Sequence, residues 1–319
     1  MRKIALFMIA TGTCLGSLHA ENSIRLNAAM PVTSTHSDLE SRLRLEEMRY
    51  GTYTKSWHND FNLAHFRLGL ELRLDAGPGE VFAEYRAESK ITSFTAERMT
   101  VNGGAGFGQL AVTPYRQSWS DFEIGYRLPV HERIGVSVLG GRRSWSRDVT
   151  LMGYDRPGAS MLAYAGGVVN DSLETAVAGN YLGTELDFKL DKNVEIFAGY
   201  AGSISPLSGE ASRNQLFLFT SPEYSTRSYY IADYGAKADL SRIWIGARMR
   251  PHKMVSLEIG YQQDILRMRY DSYLPIDLGS MSLPSTGELL QYQLIHGKTV
   301  NEENAGLFIG VSLIGVFAD

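Results

Sequence analysis

Residues 194–200 read VEIFAGY and residues 255–261 read VSLEIGY. In the first phrase Val194, Ile196, Ala198 and Tyr200 fall on one face of an extended chain, with Glu195, Phe197 and Gly199 on the other. In the second, Val255, Leu257, Ile259 and Tyr261 oppose Ser256, Glu258 and Gly260. A period of two is the signature of a β-strand. Each phrase follows a tight-turn sequence, DKN (191–193) or PHKM (251–254), so both strands start at the same end of the fold.

The same alternation recurs along the chain. Phe66, Leu68, Leu70, Leu72 and Leu74 alternate with Arg67, Gly69, Glu71 and Arg73; Leu182, Thr184, Leu186, Phe188 and Leu190 alternate with Gly183, Glu185, Asp187 and Lys189. Strands are expected near 40–54, 61–74, 80–91, 118–128, 134–148, 179–190, 194–205, 229–250, 255–271 and 305–317. Along 229–250 the apolar residues change parity, which predicts a bulge near 240–242. The connections alternate between tight turns, AGPG (76–79) and PVHER (129–133) among them, and long polar stretches near 92–117, 150–178, 206–228 and 273–303. A β-sandwich gives no reason for that alternation. A transmembrane barrel does, with short periplasmic turns and long extracellular loops. The fold class is therefore all-β, an antiparallel transmembrane β-barrel of about ten strands.

The N-terminus fits this reading. MRKIALFMIATGTCLGSLHA carries Arg2 and Lys3, then an apolar run and a small Ala20, the pattern of a secretory signal peptide over 1–20 cleaved near Ala20. Residues 21–38 read as a periplasmic N-terminal segment and 39–319 as the barrel, located in the outer membrane of a diderm cell. The one cysteine, Cys14, lies inside the signal, so no disulfide or thiolate metal site is expected in the mature chain. Without Arg2 and Lys3 the chain holds 29 basic and 35 acidic residues, a balance that argues against nucleic acid as a partner.

If the apolar face meets lipid, the other face lines the lumen. It carries Arg67, Glu71, Arg73, Glu84, Arg86, Glu123, Arg127, Glu185, Asp187, Lys189, Glu195, Arg248, Arg250 and Glu258, with Arg42, Arg44 and Glu46 on the strand expected at 40–54. The interspersed signs predict an ion-pair network that fills the lumen rather than a single-sign conducting ring. A small substrate-specific pore is the alternative. Outward Tyr85, Tyr126, Tyr200 and Tyr261 are expected at the lipid interface as part of an aromatic girdle, and the glycine before such a tyrosine points into the crowded interior. Arg142, Arg143 and Arg147, in RRSWSRD (142–148), are placed at the outer rim as contacts for lipopolysaccharide phosphates.

Motifs for chemistry are sparse. No HExxH or GxSxG occurs, and GGAGFG (103–108) lacks the lysine and the strand-to-helix context of a phosphate loop. His58 in WHND (57–60), two residues from Asp60, reads as a solvated histidine of the first outer loop, His131 and His252 read as solvated turn histidines, and no cofactor or metal site is expected. A signal peptide, ten strands, short inner turns and long outer loops resemble the omptin family of outer-membrane aspartate/histidine proteases, over the whole mature chain. That resemblance implies two acidic residues on one side of an extracellular cleft and an Asp-His pair on the other. The segment 206–228 contains no histidine, and its acids are Glu210 and Glu223, so no catalytic residue carries over. The expected activity is binding or membrane integrity through extracellular loops, with an omptin-like surface hydrolase as a further alternative. Expected partners are outer-membrane lipid, lipopolysaccharide and the barrel-assembly machinery, which LFIGVSLIGVFAD (307–319) would address with Phe317 two residues from its end.

Overall fold

The computed structural model describes residues 22–37, 51–53, 58–101, 107–156, 167–220, 225–271, 276–277 and 297–317. They form thirteen strand segments: β1 (Ser23–Ser37), β2 (Gly51–Tyr53), β3 (His58–Ala76), β4 (Gly79–Val101), β5 (Phe107–His131), β6 (Ile134–Arg156), β7 (Gly167–Lys189), β8 (Val194–Ser203), β9 (Leu207–Thr220), β10 (Ser225–His252), β11 (Val255–Asp271), β12 (Ile276–Asp277) and β13 (Thr299–Val316). β8 and β9 together make one stave between β7 and β10, and β2 and β12 are short side pairings on β4 and β10. The remaining staves follow β1-β3-β4-β5-β6-β7, then β10-β11-β13, and β13 pairs back to β1. The result is a closed ten-stranded antiparallel barrel.

The first stave differs from the sequence expectation. Ser23–Ser37 is not a periplasmic segment. It runs antiparallel to β13 from Ser23 opposite Val316 to Ser37 opposite Glu302, and pairs with β3 on its other side. The physical reason is a period-two pattern: Leu26, Met30 and Val32 are exposed while Arg25 and Thr33 are buried. Of the strand expected at 40–54, 51–53 pairs with β4, and Arg42, Arg44 and Glu46 lie outside the described residues.

The bulge also lies elsewhere. β10 runs against β11 without a slip from Gly235 to Met249, and the extra residues sit in its other neighbour. Ser241 faces Gly202 whereas Ala238 faces Leu207, so two additional residues are accommodated between β8 and β9. Pro206, which has no amide to donate, falls in that interruption, and Ser203 Oγ accepts the Leu240 amide at 3.1 Å.

What looked like a parity change is a change of surroundings. Toward the tight turns, outward Ile243, Ile245 and Met249 are exposed and the interior is charged. Further along the same strand the outward residues are Lys237 and Asp239, and Tyr234, Ala236, Ala238 and Leu240 fill the interior. β11 repeats this with Leu257, Ile259 and Tyr261 exposed in one half, and Arg267 and Arg269 exposed over buried Leu266, Met268 and Tyr270 in the other. At this level Lys237 Nζ and Arg269 Nε each lie 3.0 Å from Asp271. The barrel thus carries an outward apolar belt, the surface a transmembrane barrel presents to lipid. Beyond it the staves continue as a water-faced, apolar-cored tower. Much of what the sequence shows as long loop is this tower: β4 reaches Val101 and β5 starts at Phe107, and β9 covers most of 206–228.

Three of the four tyrosines expected at the lipid interface, Tyr85, Tyr200 and Tyr261, are exposed on the outer surface. Tyr200 faces Ile243 and Tyr261 faces Ile245, one on each side of β10. Tyr126 is half-buried and donates its hydroxyl to the Ala76 carbonyl at 3.3 Å, so it clamps the 76–79 turn.

The belt can be tested on one strand. Leu257→Arg is expected to lower the unfolding free energy in lipid vesicles by about 2–4 kcal/mol. Arg267→Leu, on the same face but beyond the belt, should stay within about 0.5 kcal/mol. Urea titration followed by tryptophan fluorescence reads both.

Candidate functional site in the barrel lumen

Ten staves enclose a bore that side chains nearly fill. Because the outward face is apolar, every second residue of the belt strands must put its polar groups inside, where a charge without a partner is costly. The structure answers with three tiers of pairs.

At the turn end, Arg127 Nε donates to Asp187 Oδ1 at 2.9 Å, and its guanidinium also lies 3.6 Å from Glu80 and 3.9 Å from Glu195. Arg248 lies 3.2 Å from Glu195 and 3.6 Å from Glu258. Arg73 pairs with Glu71 and, at 3.2 Å, with Glu80, while Arg25 approaches Glu71 at 3.6 Å. Trp244 Nε1 donates to Glu185 Oε2 at 2.7 Å.

In the middle tier Glu71, Glu84 and Glu123 are direct cross-strand neighbours on β3, β4 and β5. Three like charges in one row require cations above and below. Arg86 pairs with Glu123 and reaches Glu84 at 3.6 Å. Arg242 Nη1 donates to Glu123 at 3.1 Å from the far wall, and Tyr181 donates to the same oxygen at 2.6 Å. Arg143 holds Asp121 in a two-pronged grip at 2.6 and 2.7 Å and reaches Asp264 at 3.2 Å.

In the outer tier Arg67 Nε donates to Glu88 at 2.7 Å and its Nη2 to Gln262 Oε1 at 2.6 Å, spanning from β3 to β11. His65 Nε2 lies 2.6 Å from the other Glu88 oxygen, and Thr33 Oγ1 lies 3.3 Å from His65 Nδ1. Lys90 Nζ donates to the Thr33 carbonyl at 2.9 Å, and Arg147 reaches Glu302 at 2.5 Å.

Aromatic rings separate the tiers, and glycines make room for them. Phe82 is directly opposite Gly125, Trp244 opposite Gly199, Phe197 opposite Gly246 and Phe308 opposite Gly260. A β-carbon on Gly246 or Gly260 would lie 2.6 Å from the facing phenyl ring, and Gly125 and Gly199 have no more space. Each ring then carries a guanidinium on its free face: Arg242 over Trp244 at 4.9 Å, Arg248 over Phe197 at 5.0 Å, Arg67 over Phe308 at 5.2 Å and Arg73 over Phe82 at 5.8 Å. The Gly-Tyr endings of VEIFAGY and VSLEIGY therefore have a cause. The glycine clears the lumen for a neighbour's ring, and the tyrosine faces outward.

The fourteen residues read from the sequence as lumen lining take inward positions. Twelve belong to the contacts above, while Lys189 and Arg250 make no ion pair among the described residues and sit at the turn-end mouth. One sequence assignment is overturned. Arg143 and Arg147 are not rim contacts for lipopolysaccharide: their side chains are 2% and 1% exposed and bind Asp121, Asp264 and Glu302 in the lumen. Odd-numbered residues of β6 point inward, and only Arg142 of the three is exposed. Sequence reasoning also passed over Arg25, Glu80, Glu88, Arg242 and Glu302. The alternation in SIRLNAAMPVT (23–33) was the available signal for Arg25. Side chains of His36, His58 and His296 lie outside the described residues, as does most of GGAGFG.

No family model matches this chain, and no curated protein matches it. Among solved structures, the outer membrane protease OmpT from Escherichia coli superposes with a TM-score of 0.54 at 10% identity, over 96% of this chain and 100% of that one. The toluene transporter TodX from P. putida matches with a TM-score of 0.38 at 12% identity, over 94% and 91% of the two chains. A major outer membrane protein from Thermus thermophilus matches with a TM-score of 0.34 at 9% identity, over 93% and 100%. At such identity the first likeness establishes the fold, that of a ten-stranded outer-membrane barrel, and leaves activity to the chain's own residues.

Two substitutions probe the lumen. Arg143→Ala strands Asp121 among fewer cations and is expected to lower the unfolding free energy by about 3–5 kcal/mol, with the lower end applying if water enters. Gly260→Ala pushes a methyl group against Phe308 and should cost about 1–3 kcal/mol. Equilibrium unfolding in vesicles measures both, and Ser256→Ala at the strand start serves as the small-residue reference.

Proposed function

We propose that the chain is an integral outer-membrane protein with a sealed lumen, acting through the tower and loops outside the bilayer in ligand binding or in membrane integrity. The observation that supports this reading is the closure of the bore. Within the belt the space left for water is about 110 Å³, lined by Arg67, Glu71, Arg86, Glu123, Arg242 and Trp244 among others. Farther out, Trp145, Val177, Leu207, Leu266, Met268 and Val300 form an apolar core across the interior. A substrate-specific channel needs a continuous wet path. In this scheme residues 1–20 direct export and are removed near Ala20. Arg142, exposed beside Phe122 on β5, is the residue left to meet a lipopolysaccharide phosphate, and Phe317 addresses the barrel-assembly machinery.

A surface hydrolase would need a histidine and an acid open to solvent. Among the described residues His65 and Glu88 are paired, but each side chain is 2% exposed within the lumen. The pair therefore supports packing, and we favour the non-catalytic reading.

Planar-bilayer recording tests the sealed lumen. The parent protein should give no steady conductance, while Arg73→Ala and Glu84→Ala, each removing a member of the inner tiers, should raise the leak. Large, steady parent channels that neither substitution alters would overturn the sealed reading in favour of a pore.

A further inference from the structure

We propose that the turn-end mouth of the barrel is a binding vestibule for a small polyanion bearing phosphate or carboxylate groups. The mouth is a concave space of about 370 Å³, an order of magnitude more than the roughly 30 Å³ share of one water molecule. Eight cations line it; Arg25, Arg73, Arg127 and Arg248 are paired with acids, while Lys189, Lys192, Arg250 and Lys253 make no ion pair among the described residues. The acids beside them are already engaged. Glu80 is held by Arg73 and Arg127, and Glu195 by Arg127 and Arg248. Asp191 turns its Oδ1 back to accept the Asn193 and Val194 amides at 2.5 and 3.2 Å. Lys189 stands opposite Glu195 in register, but Glu195 is already held by Arg127 and Arg248, so among the described residues positive charge is in excess at this mouth.

A second observation concerns the wall between this space and the bore. Arg25 lines both this vestibule and the small cavity behind it, its side chain is 8% exposed, and its Nε is buried without a hydrogen-bond acceptor. Its contact with Glu71, at 3.6 Å, leaves that donor unused. The cradle is also held in place: the Arg250 amide donates to the Asn193 carbonyl at 2.8 Å, fastening the 191–193 turn to β10. An arginine fork and three lysines around one cavity suit multivalent oxyanions. Behind the vestibule the bore narrows to the 110 Å³ pocket, so an anion entering here stops rather than passes. That the vestibule faces the periplasm rests on the outer-membrane reading, but the binding itself does not.

The test uses the full barrel with inorganic pyrophosphate as the probe. Calorimetry in neutral detergent should show one saturable site that weakens as sodium chloride is raised. Arg250→Gln combined with Lys189→Gln should weaken binding at least tenfold. Lys192→Gln with Lys253→Gln, both in exposed turns that leave the barrel wall untouched, should weaken it several-fold. Arg267→Gln combined with Arg269→Gln, the same loss of two charges at the far end, should leave affinity within twofold. Nanodiscs of phosphatidylglycerol or phosphatidylcholine separate the sources: weaker pyrophosphate binding in the anionic lipid identifies a headgroup as occupant, and equal binding identifies a free anion. Absence of saturable binding, or affinity unchanged in both double variants, overturns the proposal whatever the bilayer recordings show.

Discussion

The outward apolar belt leaves the belt strands only one side on which to put charge, and that side is too narrow for bulk water. Asp121 and Glu123 stand two residues apart on β5 at the centre of the bore. Such carboxylates would each cost several kcal/mol if taken out of water alone. Arg86, Arg143 and Arg242 converge on them from β4, β6 and β10, so the network closes across the barrel rather than along one wall. This cross-bore pairing bears on everything else in the structure. It sets which staves must face each other, and it demands that arginines with long stems reach the middle. It also leaves little width for backbone and rings together, which is why four aromatic residues lie over glycines in the neighbouring strand.

The tower follows from the same constraint with the solvent exchanged. Once outward residues meet water, they no longer need to be apolar, and inward residues no longer need to be charged. The chain keeps its period of two and swaps the contents of the two faces. Tyr234, Ala236 and Ala238 have the same parity as Arg242, Trp244 and Arg248. A strand that runs from one medium to another therefore reads as two strands out of phase, and a bulge between them is the natural but mistaken repair. The true irregularity, between β8 and β9, sits next to Pro206, where a missing amide makes an interrupted ladder inexpensive.

These distinctions explain what was legible in the sequence. Strands with the lipid-facing pattern, such as 66–74, 182–190 and 255–261, show themselves because apolar residues recur at every second place or close to it. The lumen set from Arg67 to Glu258 follows from the opposite parity with no further information. Ser23–Ser37 carries the same pattern, but it lies directly after the export signal, and its inward face has Asn27, Ala29 and Pro31 in place of a run of charges. Arg143 and Arg147 were hidden for a different reason: their outward neighbours Arg142, Ser144 and Ser146 are polar, so no apolar stripe marks which arginines point in. Which acid each arginine meets is decided by the curvature of the closed sheet. Arg242 and Glu123 are 119 residues apart and come from staves that are not neighbours. Strand parity says that both point inward, and only closure says that they touch.

The tiers also make the barrel asymmetric along its axis. In the belt and above it, carboxylates and guanidiniums are paired closely enough to fill most of the bore. At the turn end the matching stops: Lys189, opposite an already engaged Glu195, and Arg250, one inward place beyond Arg248, make no ion pair among the described residues. Nothing about sealing the bore requires these two cations, since Arg127 and Arg248 already satisfy Asp187, Glu195 and Glu258. Their presence raises the local potential at an opening that water and solutes reach directly, while the cavity behind them is confined and narrow. A charge surplus confined to a dead-end mouth attracts and retains an anion without conducting it. The fold thereby separates a closed wall, which the network maintains, from an accessible surface at each end, the apolar-cored tower on one side and the cationic vestibule on the other.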